Sequence, residues 1–196
     1  MTPNLDDDCL VDDNRLINEA LAGKTDSFGR LVQRYQDRLF HAMSHVAGSV
    51  EDAHDIVQDA FTQAFVKLES FRGASAFYTW LYRIAFNVAA SRRRRARPTA
   101  STDRNQADRG EQVIDPREAP HERLEQQERA ERVHAALATL PDEYRQVMVL
   151  REMDDCSYEV IAEILDLPVG TVRSRLHRAR TQMRELLKEV LEIDRE

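Results

Sequence analysis

Apolar residues recur at helical spacing along most of this chain. The first run is short: Leu16, Ile17, Ala20 and Leu21 line one side of a stretch from Asp13 to Leu21, and Gly23 is its stop. A longer run begins at Asp26, with Phe28, Leu31, Val32, Tyr35, Leu39, Met43 and Val46 at intervals of three and four, and Gly48 ends it. Ser49 with Asp52 reads as an N-cap and acidic first turn. The helix it opens runs to about Ser70, with Ala53, Ile56, Val57, Ala60, Phe61, Ala64, Phe65 and Leu68 inward. Phe71-Arg72-Gly73 breaks it. A fourth helix turns Phe77, Trp80, Leu81, Ile84, Ala85 and Val88 inward, and these four helices can share one core.

From Pro98 to Pro120 the period disappears. That stretch holds three prolines and almost no bulky apolar residues, too few to offset the entropy of ordering, so it reads as a flexible linker. Leu124, Val133, Leu137 and Leu140 then mark another helix. Pro141 stands where a helix start tolerates proline, and Val147, Met148 and Leu150 continue the helix it opens. No strand alternation or internal repeat occurs. The pattern predicts an all-α protein of two small helical domains: an acidic segment over 1–13, a first domain over 14–97, a linker over 98–120 and a second domain over 121–192.

The end of the second domain has a more specific shape. Ser157 caps a helix whose inward residues are Ile161, Ala162 and Leu165. Leu167-Pro168-Val169-Gly170 reads as a turn, because Pro168 discourages helical backbone at Leu167. Thr171 is placed to cap a second helix with Val172, Leu176, Ala179 and Met183 as its apolar stripe. Its opposite face carries Arg173, Ser174, Arg175, His177, Arg178 and Arg180. This is a helix-turn-helix, whose second helix fits the major groove with its first residues at base edges. Arginine there can bind guanine in bidentate fashion, while more distal arginines suit phosphates.

Charge distribution changes what the composition suggests. The net charge of −7 argues against nucleic acid, but DNA feels local patches, since charges beyond about 8–10 Å are screened. Residues 1–13 hold Asp6, Asp7, Asp8, Asp12 and Asp13 and no base, whereas residues 92–97 read RRRRAR and residues 173–184 hold Arg173, Arg175, Arg178, Arg180 and Arg184 and no acid. Two separate basic patches on an acidic chain indicate DNA and a second, different partner. Arg92, Arg93, Arg94, Arg95 and Arg97 can neutralise phosphates without reading sequence. Just upstream, Phe71-Arg72-Gly73-Ala74-Ser75-Ala76-Phe77-Tyr78-Thr79-Trp80 puts aromatics and a base beside that basic helix, a stacking platform for unpaired bases. Phe77 and Trp80 suit the core better than a base; Tyr78 is less well explained by the core.

Several chemistries find no support. No apolar run reaches the length of a membrane span, and the acidic start lacks the basic region of a signal peptide. Cys9 and Cys156 make no metal-type cluster, and two scattered thiols suit a reducing cytoplasm. His41 and His45 stand four apart, a metal-ligating spacing, but no third ligand is placed by the sequence and solvated histidines are the simpler reading. With no nucleophile–base pair and no phosphate loop, neither catalytic residues nor a cofactor is expected.

Taken together, these motifs resemble one family. FRGASAFYTWLYRIA at 71–85, followed by Asn87, resembles the DNA-melting segment of extracytoplasmic-function RNA polymerase sigma factors, especially the sigma-E type. DIVQDAF at 55–61 is similar to that family's polymerase-binding helix. LPDEYRQVMVLRE at 140–152 and LPVGTVRSRLHRAR at 167–180 are similar to its region 4. The resemblance spans about residues 12–190. It implies a transcription initiation factor that binds core RNA polymerase, at the β′ clamp helices through Asp55, Gln58 and Asp59, and at the β flap. It implies −10 contacts from Phe71, Arg72, Ser75, Tyr78, Arg83, Asn87 and Arg92 to Arg95, with a flipped base held by the loop at 71–78. It implies −35 contacts from Thr171, Arg173, Ser174, Arg175, His177 and Arg178, and an anti-sigma factor as a further partner.

Three positions depart from that pattern. Ala74 stands where the sigma-E type usually has Asp, Cys156 replaces a common Gly, and His177 occupies a position that is often aromatic. The rival reading is a helix-turn-helix regulator that binds duplex DNA without being a polymerase subunit; it leaves residues 71–87 and the arginine block unexplained.

Overall fold

A computed structural model describes residues 5–96 and 132–193, with side chains over 12–95 and 132–188. All regular structure among the described residues is helical. The linker at 98–120, Arg97 and Leu124, and the side chains of Asp6, Asp7, Asp8 and Cys9, lie outside what is described.

Four helices form the first domain: α1 (Leu5–Leu21), α2 (Thr25–Val46), α3 (Val50–Val66) and α4 (Phe77–Ala96). Each packs on the next in chain order. Gly23, at φ +95°, makes the tight turn between α1 and α2. Ser49 caps α3 as expected, its hydroxyl accepting from the Asp52 amide at 3.0 Å. Leu16, Leu31, Leu39, Met43 and Leu81 are fully buried, each such side chain worth about 1.5–3 kcal/mol in apolar transfer. Helix α1 begins well before Asp13, and Asp13 is the first buried residue among those whose side chains are described. Asp13 is 2% exposed, and its carboxylate accepts from the Tyr35 hydroxyl and the Arg34 guanidinium, partners that a buried charge requires.

The second domain comprises α5 (132–139), α6 (Asp142–Met148), α7 (Tyr158–Leu165) and α8 (Val169–Ile193). A π-helical segment, Val149–Met153, extends α6. Arg145 closes the end of α5 by donating to the carbonyls of Leu137, Ala138 and Leu140. Ser157 caps α7, accepting from the Val160 amide at 3.2 Å. α7 stops at Asp166, whose left-handed backbone (φ +55°) makes the turn.

α8 starts at Val169, two residues earlier than expected. The Pro168 carbonyl accepts from the amides of Thr171 and Val172 at 2.8 and 3.1 Å, so Thr171 lies inside the first turn and is not its cap. Because Asp166 supplies the reversal, the chain needs no further turn residues after Pro168. Phe65, expected inward, is 46% exposed and meets Phe28 edge-on at 5.0 Å. Conversely, Tyr82 and Phe86 are buried although no inward pattern marks them.

The second domain explains that burial. α4 lies between α3 and α7, so it is covered on two sides. At the seam, the Tyr82 hydroxyl donates to Asp154 Oδ1 at 3.2 Å. Arg38 donates to the same oxygen at 3.2 Å and to the Asp154 carbonyl at 2.8 Å. The His45 ring of α2 faces His134 of α5 at 5.1 Å. Arg93 reaches both the Val46 carbonyl and the Asp142 carboxylate.

Candidate nucleic-acid interface

The segment at 71–87 is built on an aromatic base. A 3-10 turn, Leu68–Ser70, delivers the chain to Phe71. Phe71, Phe77 and Trp80 form a triangle with ring centres 5.3–5.9 Å apart, and Tyr35 supports Phe77 at 5.7 Å. Phe77 is 1% exposed, as core expectation required, and Trp80 is half-buried. Gly73, at φ +67°, lets the chain turn over this base. Arg72 and Ala74 are exposed and Ser75 is partly so. A rigid support under a short exposed loop with one arginine is the arrangement that base stacking and phosphate attraction require. Tyr78 is half-buried, with the Arg38 guanidinium 5.4 Å from its ring centre and Tyr82 edge-on at 6.0 Å.

The basic end of α4 divides in two. Arg92 turns toward α3, binding Asp59 at 2.7 and 3.1 Å and Asp55 at 2.8 Å. Arg93 turns to the seam. Arg95 and Arg94 point outward, Arg94 donating to Ser91 at 3.0 Å. Asn87 is exposed on the same helix and lines an open groove between α3 and α4 with Asp59, Gln63, Ser91, Arg92 and Arg95. Arg83 stands 3.7 Å from Asp166 of the second domain. Asp55 and Gln58 are exposed on α3. The structure thus joins Asp55 and Asp59 to Arg92, residues the sequence assigns to two different sites.

On α8, Val172, Leu176 and Ala179 are buried as expected. Arg173, Ser174, His177 and Arg178 form a continuous exposed strip. Arg173 and Arg178 make no ion pair among the described residues. Arg175 instead binds Glu143 at 3.0 Å, and Arg180 binds Glu152 at 2.7 and 3.0 Å. These last two contacts carry no signal in the linear pattern, because the acids come from α6 and the π-helical segment.

Burial tunes the seam. It lowers the His45 ring to about 4, helped by the neighbouring His134 and His41. It raises Asp154 and Tyr82 above their ordinary ranges. Cys156 is 3% exposed, and burial, then the Asp154 charge, pushes its thiol to about 11. It therefore stays protonated at neutral pH and packs as a small residue. His45 turns to His134, and no group of three or more metal-ligating side chains gathers among the described residues. No described helix is long and apolar enough to cross a membrane.

These features define a two-domain helical protein with a helix-turn-helix in the second domain and an aromatic-based loop beside a basic helix in the first. The sigma-70 region 2 family matches residues 31–99, and the sigma-70 region 4 family matches residues 130–183. The chain is 40% identical to the ECF RNA polymerase sigma-E factor of Escherichia coli over 173 residues, covering 86% of this chain and 90% of that one. It is 35% identical to the RNA polymerase sigma-H factor of Pseudomonas aeruginosa over 184 residues (91% and 95%). It is 34% identical to the ECF sigma factor SigW of Bacillus subtilis over 179 residues (89% and 96%). Among solved structures it is similar to CnrH in complex with the cytosolic domain of CnrY, with TM-score 0.67, 28% identity and coverage of 91% and 98%. It is also similar to the sigma factor RpoE of Bartonella quintana in complex with the anti-sigma factor NepR, with TM-score 0.68, 26% identity and coverage of 82% and 96%. The chain belongs to the extracytoplasmic-function sigma factors of RNA polymerase.

Proposed function

We propose that this sigma factor directs core RNA polymerase to promoters, reading the −35 element with α8 and opening the −10 element with the 71–78 loop and α4. One observation carries the division of labour: a single chain exposes a basic strip on a recognition helix and, in its other domain, a loop on an aromatic base. The strip suits an intact duplex and the loop suits a strand that has left it. Capturing an unstacked base offsets the few kcal/mol that its extraction costs.

Asp55, Gln58 and Asp59 bind the β′ clamp helices, and the second domain meets the β flap. A basic surface on the clamp competes with Arg92 for the two carboxylates, so polymerase binding frees Arg92 for DNA. Phe71, Arg72, Ser75, Tyr78, Arg83, Asn87, Arg94 and Arg95 attend the opened strand. Arg83 and Arg93 face Asp166 and Asp142 across the seam; phosphates of the opened strand compete with those acids for the two arginines, so the seam parts on the promoter. The first domain is assigned to 14–97, the linker to 98–120 and the second domain to 121–192. The protein acts in the cytoplasm and is not an enzyme. An anti-sigma factor restrains it, a reading supported by the complex of the similar Bartonella protein; co-purification from unstressed cells checks this, and recovery with polymerase alone counts against it.

Permanganate probing of a promoter bound by reconstituted holoenzyme tests the opening role. Wild type exposes thymines at the −10 element, and Tyr78→Ala with Asn87→Ala loses that exposure while still binding polymerase. Unchanged exposure in the double variant refutes the assignment. A regulator acting on duplex DNA alone would leave the 71–87 surface without use.

A further inference from the structure

Of the five arginines at 173–184, two are bound to the protein itself. Arg175 binds Glu143 at the start of α6, and Arg180 binds Glu152 of the π-helical segment. With about 100° per residue, the buried stripe of Val172, Leu176, Ala179 and Met183 defines the inward direction of α8. Arg175 and Arg180 then stand about 70° to either side of it. The exposed strip of Arg173, Ser174, His177 and Arg178 lies opposite. The two acids therefore grip opposite flanks of the helix.

We infer that Glu143 and Glu152 are positioning residues for promoter recognition: they fix the roll of α8 about its axis and keep Arg175 and Arg180 off DNA phosphates. This rests on the reading that α8 recognises the −35 element. A roll of one residue turns the strip by about 100° and moves it out of register with base edges. An apolar stripe resists translation from its seat better than it resists small rotations, whereas one charged pair on each flank opposes rotation in both senses. The pairs are partly exposed: Arg175 and Glu143 at 24% and 49%, Arg180 and Glu152 at 44% and 46%. They therefore add little to folding stability. Their effect is on specificity. An arginine held by an acid releases no counterion from DNA; the same arginine freed binds any phosphate within reach.

The consequence runs against simple expectation. Replacing both acids with glutamine strengthens binding to DNA in general and weakens discrimination. The test uses holoenzyme made from core polymerase and the full chain. The probes are two duplexes with one −10 element: one carries a −35 sequence selected from a random library by wild-type holoenzyme, the other the same bases scrambled. Filter binding is followed across salt concentrations. Glu143→Gln with Glu152→Gln should bind the scrambled duplex about two- to fivefold more tightly. It should lower the selected-to-scrambled ratio by a similar factor, and steepen the salt dependence by up to about 2 in log–log slope. Glu159→Gln with Glu163→Gln makes the same charge change at exposed positions on α7 and should preserve the ratio.

If the glutamine variant keeps the wild-type ratio, or the α7 control loses it equally, the positioning role is overturned while −35 recognition stands. If wild type itself does not distinguish the two duplexes, −35 recognition by α8 fails, and the positioning role with it.

Discussion

Acidification should destabilise this protein through His45, by an amount set by its place in the seam. Its ring lies between α2 and α5 against His134, with Nδ1 buried and unpartnered. Burial, then His134 and His41, lowers it from 6.5 to about 4. Between those values the unfolded chain takes up a proton that the folded one refuses. Stability is therefore full above about 6.5 and falls as pH drops toward about 4. At pH 5 the unfolded ring is about 97% protonated and the folded ring about 9%, which corresponds to about 2 kcal/mol lost relative to pH 7.5. Urea unfolding followed by circular dichroism at both pH values measures it. His45→Asn does not titrate in this range, so it should lose about 2 kcal/mol less than wild type over the same interval. Equal losses in the two proteins would refute the burial argument.

Four other outcomes follow from the same packing. Asp154 has its carboxyl raised by burial, so its contribution to stability declines as pH rises above the ordinary value of 3.8. Asp154→Asn should remove that decline and change stability at pH 7 by less than about 1 kcal/mol, whereas Arg38→Met, which leaves the charge with Tyr82 alone, should cost about 1–2 kcal/mol by urea denaturation. Leu176→Ala, at a site 1% exposed, should cost about 2–5 kcal/mol in the same assay and unseat α8. Ser157→Ala should cost about 1 kcal/mol by removing the α7 cap.

The fold was legible wherever one face of a helix meets one core. Leu31, Leu39 and Met43 on α2, Ala60 on α3 and Leu176 on α8 are buried where the helical period puts them. The caps at Ser49 and Ser157 were legible because the chemistry is local. Tyr82 was not, since it is buried by a carboxylate and a helix from the other domain, more than seventy residues away. Phe65 misled in the other direction: its position fits the inward face of α3, yet beside Phe28 it stays 46% exposed. The start of α8 was misread because the reversal falls on Asp166, and a residue other than glycine in left-handed backbone leaves a weak trace in sequence. At the candidate site, the aromatic loop and the exposed strip on α8 were readable from residue type and spacing. The partners of Arg92, Arg93, Arg175 and Arg180 were not, because each acid lies on a different element.

As a sigma factor, this chain converts core polymerase into a promoter-specific enzyme. Core polymerase is mixed with the protein and a library of genomic promoter fragments, and the 5′ ends of the transcripts are sequenced. Transcripts should start at discrete positions downstream of a shared −35 and −10 pair, and Arg173→Ala with His177→Ala should abolish the −35 part of that pattern. Transcripts with no common upstream sequence, or the same start sites without the protein, would contradict it.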